Sequence, residues 1–252
     1  MGKTKYQKDF EYLNLVSLHG MNIGRGEDPG NSGEKKVLEY IHKHFEDLKE
    51  LIVFDVGANV GQYSLLVKNI FGERAKLYAF EPAKKSYKVL KSTIANITKT
   101  YIHQIGLGKT NTKTTLFTDS DKSKLASVFK RKLDHFHIDL KNQEKIEIKT
   151  LDTFCKKENI ERIHFLKLDV EGNELQVLEG SSRMLKNGKI DFIQFEFGGC
   201  NIDSRTYFQD FYYLLKDQYK IFRILKDGIY QIDQYKETYE AFTTTNFLAE
   251  RK

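Results

Sequence analysis

Acids and glycines recur at one kind of place in this sequence, just beyond short apolar runs. Asp55 and Gly57 follow Leu51 to Phe54, and Glu81 follows Lys76 to Phe80. Gly106 and Gly108 follow Tyr101 to Ile105, Asp169 and Glu171 follow Ile163 to Leu168, and Glu196 and Gly198 follow Ile190 to Phe195. Open α/β sheets bind ligands at the carboxyl ends of their strands. Unpaired acids at a sheet edge do nothing for folding, so their repetition points to a binding site. The turn Gly57-Ala58-Asn59-Val60-Gly61 departs from Gly-x-Gly-x-x-Gly, because Asn59 stands where a second glycine would let a diphosphate approach. Asp55 beside it repels phosphate and suits a cation, and no Gly-Lys-Ser/Thr phosphate loop exists. S-adenosylmethionine (SAM) carries a sulfonium and an ammonium and no phosphate, so it suits this loop better than NAD or ATP. Glu81 at the second strand end can accept both hydroxyls of a ribose.

These residues need a scaffold of alternating strands and helices. Leu51–Phe54 is bounded by Asp55 and Gly57 and reads as a buried parallel strand. A helix through Leu65, Leu66 and Ile70 stops near Gly72, and Pro82 opens a helix marked by Tyr87, Leu90 and Ile94. After Ile163–Leu168 comes a helix over Glu174–Leu185 that stops at Asn187-Gly188. Helix Tyr207–Lys216 follows the strand Ile190–Phe195, and Tyr219–Leu225, Gly228–Gln231 and Thr245–Ala249 read as the last strands. The order implies an α/β, Rossmann-like, mainly parallel twisted sheet with helices on both faces. Residues 1–50 read as an N-terminal helical extension containing a glycine-rich loop, Gly20 to Gly33. In it Ser32 caps a helix that runs through Val37, Leu38, Ile41 and Phe45 to near Lys49. Residues 51–252 form the main domain. A polar insertion at about 109–149 holds short alternating pieces, Thr114–Thr118 and Lys145–Ile148, that read as strands, followed by a helix over Leu151–Glu158.

The chain has 252 residues, 40% of them hydrophobic and 13% aromatic, enough for a core and against wholesale disorder. The net charge of +6 is spread along the chain, mostly as Lys. Lys84-Lys85 and Lys130-Arg131-Lys132 do not make a dense stripe with stacking aromatics, so a nucleic-acid partner is not expected. A small-molecule or carbohydrate substrate is. Cys155 and Cys200 lack metal-ligand spacing and fit a reducing compartment. No apolar run approaches the roughly 20 residues that span a bilayer, and Met1 to Phe10 lacks the apolar core of a signal peptide. A cytoplasmic protein without stable membrane insertion is expected; nothing indicates an oligomeric state.

The motifs together resemble the FkbM-like SAM-dependent methyltransferases. The matching segments are Ser32-Gly33-Glu34, Val53 to Gly61, Ala79-Phe80-Glu81-Pro82, Thr150-Leu151-Asp152, Leu166 to Gly172, Val177-Leu178-Glu179-Gly180 and Thr245 to Ala249. The resemblance implies a methyltransferase acting mainly on oxygen, commonly on sugars or polyketide-type products. It also implies that Asp55, Gly57, Asn59 and Gly61 cradle the methionine part of SAM, that Glu81 holds the ribose, and that backbone at Gly106 and Leu107 flanks the adenine. Ser32 and Glu34 would close the cofactor pocket.

O-methylation is an in-line displacement that needs the acceptor oxygen positioned and its proton removed. By position Asp169 is the first candidate for the base and Glu196 the second, while Glu171 would orient substrate hydroxyls. His103 reads as structural. His135 and His137 could reach the site only if the insertion folds over it. A divalent metal is left open, since Asp169, Glu171 and Glu196 could cluster around one. The expected function is SAM-dependent O-methylation of a sugar hydroxyl, on a nucleotide-activated or glycan precursor. Another small natural product is the alternative acceptor, and an NAD-linked oxidoreductase the more distant alternative.

Overall fold

The computed structural model describes residues 2–24, 32–120 and 123–252. Helix α1 (Gln7–Gly20) buries none of its side chains. Helix α2 (Glu34–His44) places Val37, Leu38 and Ile41 in the core. Strand β1 (Leu51–Val56) then leads through α3 (Gln62–Phe71), β2 (Ala75–Phe80) and α4 (Lys84–Ile94) to β3 (Thr100–His103). Next come β4 (Gly106–Leu107), β5 (Thr112–Thr118), β6 (Asn142–Lys149) and α5 (Leu151–Lys157). The chain continues through β7 (Ile163–Leu168), α6 (Glu174–Glu179), α7 (Ser182–Lys186), β8 (Ile190–Phe197), α8 (Cys200–Ser204) and α9 (Phe208–Leu215). Strands β9 (Tyr219–Leu225), β10 (Gly228–Ile232) and β11 (Thr245–Arg251) complete it.

The main sheet runs β3-β2-β1-β7-β8-β11-β9-β10. The pairs β3–β2, β2–β1, β1–β7 and β7–β8 are parallel, and the pairs that join β8, β11, β9 and β10 are antiparallel. The alternation of side chains along β1 splits the core into two layers. Phe54 and Val56 pack with the α5, α6 and α9 side, whereas Leu51 and Val53 pack with α2, α3 and α4. Helix α2, within residues 1–50, shares a core with β1, β2 and α3.

Several boundaries differ from the sequence reading. Helix α2 ends at His44, and Gly33 rather than Ser32 occupies its cap. The helix expected over Glu174–Leu185 is two helices broken at Gly180, where a side chain would meet the carbonyl of Gly108 at 2.0 Å. Strand β8 continues through Glu196 to Phe197 because β11 pairs with it antiparallel along that length. Gly106 and Leu107 are a strand of a second, small sheet, β4-β6-β5, built by the insertion. Both strands expected within the insertion are present in it as β5 and β6. Part of the glycine-rich loop, residues 25–31, lies outside the described residues.

Gly57 fixes how tightly β1 and β7 close at the end that carries the loop. Its φ is +88°, and an added Cβ would lie 1.8 Å from the carbonyl oxygen of Asp169. Gly57→Ala is expected to destabilise the protein by more than about 4 kcal/mol, since both backbone strain and overlap must be relieved. Gly188→Ala, at a positive φ where a Cβ meets only the Arg251 side chain, should cost about 1–2 kcal/mol. Urea midpoints of the two variants test the contrast; equal losses would refute the close approach.

Candidate active site

β1 lies between β2 and β7, and the chain crosses from β1 to β2 on one side and returns by β7 on the other. This reversal opens a crevice over the carboxyl end of β1. A cavity of about 970 Å³ occupies it, at the upper end of the roughly 300–1,000 Å³ range of small-molecule sites. Gly57 and Asn59, Glu81, Gly106 and Leu107, Asp169 and Glu171, and Glu196 all line it. Asp55 and Gly61 do not. Gly61 caps α3, and Asp55 lies wholly buried beneath the loop.

The burial of Asp55 follows from strand register. Asp55 pairs with Lys167 on β7, and Lys167 with Gln194 on β8. Alternation puts all three on the layer of α2 and α3. There Ser64 of α3 donates to Asp55 Oδ2 at 2.6 Å, and Oδ1 has no hydrogen-bond partner. The Lys167 ammonium donates to Asp169 Oδ2 at 2.9 Å and stands 4.4 Å from the centre of the Tyr63 ring. Burial works against this charge, but Asp169, Asp55 and Glu34 together outweigh it and lift the ammonium above its usual range. The Tyr63 hydroxyl donates to Gln194 Oε1 at 3.1 Å, and Gln194 Nε2 donates to Glu34 Oε1 at 2.7 Å. Ser32 Oγ donates to Glu34 Oε2 at 3.0 Å. Glu34 thus lines the cavity from α2, and burial pushes its carboxyl up.

On the opposite wall, Glu81 accepts from the N–H of Asn59 at 2.9 Å and of Ala83 at 2.8 Å. Burial nevertheless lifts it to about 7. Asn59 has a φ of +46°, and its buried Oδ1 has no partner. The turn after β7 is held by Glu174, which accepts from the N–H groups of Val170 (2.8 Å) and Gly172 (3.0 Å), and burial lifts it to about 7. That turn presents Asp169 and Glu171 to the cavity.

The insertion folds over the site. Ser127 is tied to Phe117 of β5 by paired backbone bonds of 2.8 and 3.0 Å, and its Oγ donates to the carbonyl of Glu171 at 2.7 Å. The Arg131 guanidinium binds the Glu171 carboxylate. Leu125, Phe136 and Ile138 join the wall, but His135 and His137 are exposed and off it. His103 sits beside Tyr78, Phe80 and Phe154 rather than in the cavity. Sequence reasoning passed over Lys167, Tyr63, Gln194 and Arg131. A lysine inside the apolar run Ile163–Leu168 was the available signal for the first; no pattern in the insertion marks Arg131.

Among the described residues no group of His, Cys, Asp and Glu is arranged to hold a metal ion. Asp169 and Glu171 take Lys167 and Arg131 as their cations instead. Both cysteines are buried and free. Among the described residues no helix is long and apolar enough to cross a membrane.

Residues 55–222, from the buried Asp55 to β9, match the profile of the methyltransferase FkbM domain. The chain belongs to the FkbM methyltransferase family. A "Methyltransferase 1" from Beauveria bassiana (strain ARSEF 2860) is 25% identical over 176 residues, which are 60% of this chain and 70% of that protein. "Methyltransferase sdnD" from Sordaria araneosa is 29% identical over 172 residues, 56% of this chain and 66% of that protein. Among solved structures, Aeropyrum pernix fibrillarin in complex with SAM aligns with a TM-score of 0.42 at 13% identity, covering 80% of this chain and 66% of that one. A likeness that low carries no weight here. The FkbM chain is a SAM-dependent methyltransferase, and its cavity fits that cofactor. The loop and strand ends offer carboxylates and an orphaned amide oxygen, and Gly57 leaves the loop no side chain at its closest approach to β7.

The buried acids carry a consequence for stability. Burial lifts Glu34, Glu81, Glu171, Glu174 and Glu196 above the ordinary 4.5 of a glutamate. The folded state therefore holds more protons than the unfolded chain between about 4.5 and 8, and the stability these groups contribute is lost as pH rises through that window. The urea midpoint of the ligand-free protein is expected to be higher at pH 5.5 than at pH 7.5, by more than about 1 kcal/mol in free energy. A midpoint that rises over the same interval would contradict this.

Proposed function

We propose that this FkbM methyltransferase transfers the methyl group of SAM to a hydroxyl of a sugar. The observation that carries the reading is the meeting of two sets of groups in one cavity. The β1 loop and Glu81 line it together with the acids Asp169, Glu171 and Glu196. Gly57, Asn59, Glu81 and the backbone of Gly106 and Leu107 would hold the cofactor, with Asp55 supporting the loop from beneath. Bound there, SAM supplies an electrophilic methyl on a sulfonium. Asp169, held by Lys167, would take the proton of the acceptor hydroxyl. Glu171, fixed by Arg131, orients neighbouring hydroxyls. Leu125, Phe136 and Ile138 add apolar surface to the wall around these polar contacts. A less polar natural-product acceptor is the second reading, favoured by those same apolar side chains and by Phe242 on the wall. A screen of SAM turnover against nucleotide-activated sugars, read by product mass, tests the proposal; turnover confined to apolar acceptors would favour the second reading.

Two further outcomes are expected. Ribose hydroxyls donate hydrogen bonds, so binding favours ionised Glu81, whose carboxyl stands at about 7 in the free protein. The Kd for SAM should rise about fivefold as pH falls from 7 to 6. In Glu81→Gln it should be about a hundredfold weaker at pH 8 and flat with pH, since a charged hydrogen bond is worth roughly 1.5–3 kcal/mol. Calorimetric titration checks both, and an unchanged affinity would remove Glu81 from the cofactor site. Asp169→Asn should lower kcat by about 10²–10⁴ with SAM affinity within threefold. Retention of wild-type kcat would remove Asp169 as the base.

A further inference from the structure

Two acids on the acceptor side of the cavity have opposite surroundings. Asp169, after β7, has the Lys167 ammonium 2.9 Å from its Oδ2. Glu196, in β8, lines the same cavity and has no hydrogen bond or cation in contact among the described residues. The groups that face it are mostly acidic: Asp169 and Glu171 after β7, and Glu174 at the start of α6. Cys200, at the start of α8, is a neutral buried thiol. The nearest cations are committed elsewhere, Lys167 to Asp169 and Arg131 to Glu171 and, at 3.9 Å, to Asp203. A carboxylate in such a place would be costly, because burial and the neighbouring acids act together. Proton uptake removes both penalties, and burial and the neighbouring acids do push Glu196 well above the ordinary range.

We propose that Glu196 stands in this site as a neutral carboxylic acid that donates its O–H to an acceptor oxygen adjacent to the one whose proton Asp169 takes, so that the acceptor is an uncharged polyol with two neighbouring oxygens. The inference rests on the reading of Asp169 as the base. An acid paired with an ammonium beside one held neutral can read two hydroxyls in opposite senses: the first donates to Asp169, and the second accepts from Glu196. The pair also disfavours a phosphate or carboxylate between them, since Lys167 and Arg131 already face Asp169 and Glu171 and Lys124 is the one further cation among the described lining residues. An anionic handle would have to sit outside this part of the cavity.

The test has two arms on the full chain loaded with S-adenosylhomocysteine. In the first, glutamate labelled with 13C at the carboxyl carbon is followed by NMR from pH 5 to 9, and the Glu196 signal is assigned by its loss in Glu196→Gln. The signal is expected at the protonated position at pH 7; an ionised Glu196 at pH 6 overturns the inference whatever the acceptor screen finds. In the second, variants are compared on the sugar that the screen turns over. Glu196→Ala should raise KM for that sugar at least tenfold more than Glu196→Gln, which keeps a donor. The KM of the wild type, but not of Glu196→Gln, should rise as pH passes the Glu196 titration. Equal KM values for the two variants overturn the donor role. A screen with no turnover would count against the sugar reading, and a wild-type kcat in Asp169→Asn against the base, while the NMR arm still decides the state of Glu196.

Discussion

One buried ammonium organises the site. Lys167 occupies a central strand where an apolar side chain would otherwise pack, and it is there at the cost of desolvation. Asp55, Asp169 and Glu34 offset that cost from three separate elements. The requirement is geometric as well as electrostatic. The register that sets β1 against β7 places Asp55 beside Lys167, and the next pairing sets Gln194 beside Lys167. A one-residue slip of any of the three strands would turn its polar side chain to the opposite layer, among aromatic rings. The charge row therefore holds the sheet to one register, and the same register delivers Asp169 and Glu196 to the cavity.

The row also links separate parts of the cavity wall. From Lys167 the contacts run to the Tyr63 ring, to Gln194, to Glu34 and to Ser32. Helix α2 is thereby tied to the middle of the sheet by polar contacts as well as by Val37, Leu38 and Ile41. On the far side, the insertion is tied to Glu171 from both its carbonyl and its carboxylate. Glu171 has a φ of +53°, a conformation that costs a residue of its kind and persists when its surroundings hold it. The two clasps come from parts of the chain far apart in sequence and meet over one floor.

Much of this was legible in the sequence. The strand–acid–glycine pattern located β1, β2 and β7 to within a residue or two, because buried parallel strands read as short apolar runs and their ends as breaks. For β7 the limits read from the apolar run, Ile163 and Leu168, coincide with those of the strand. Glu34 was marked by Ser32-Gly33-Glu34 before any contact could be seen. Other features depend on long-range packing that no local pattern encodes. Asp55 belonged with the loop by sequence but lies under it, since alternation along β1 turns it toward α3. The break at Gly180 is set by the backbone of Gly108, about seventy residues earlier in the chain. Glu196 sits inside its strand because β11, the last strand of the chain, extends the ladder past Phe195. The reach of Arg131 to Glu171 depends on a fold of the insertion that its polar, weakly periodic sequence does not announce.

The small sheet of the insertion satisfies its own backbone. β5 and β4 both pair with β6, and none of the three pairs with the main sheet. This part of the cavity wall is in this sense a detachable cassette, joined to the main sheet by a few side-chain clasps and a shared apolar seam. Descendants of such a chain could lengthen, trim or exchange it without re-registering any strand that carries the charge row. Diversification of acceptors within one catalytic frame then becomes a matter of surface remodelling, and the chemistry beneath it stays constant.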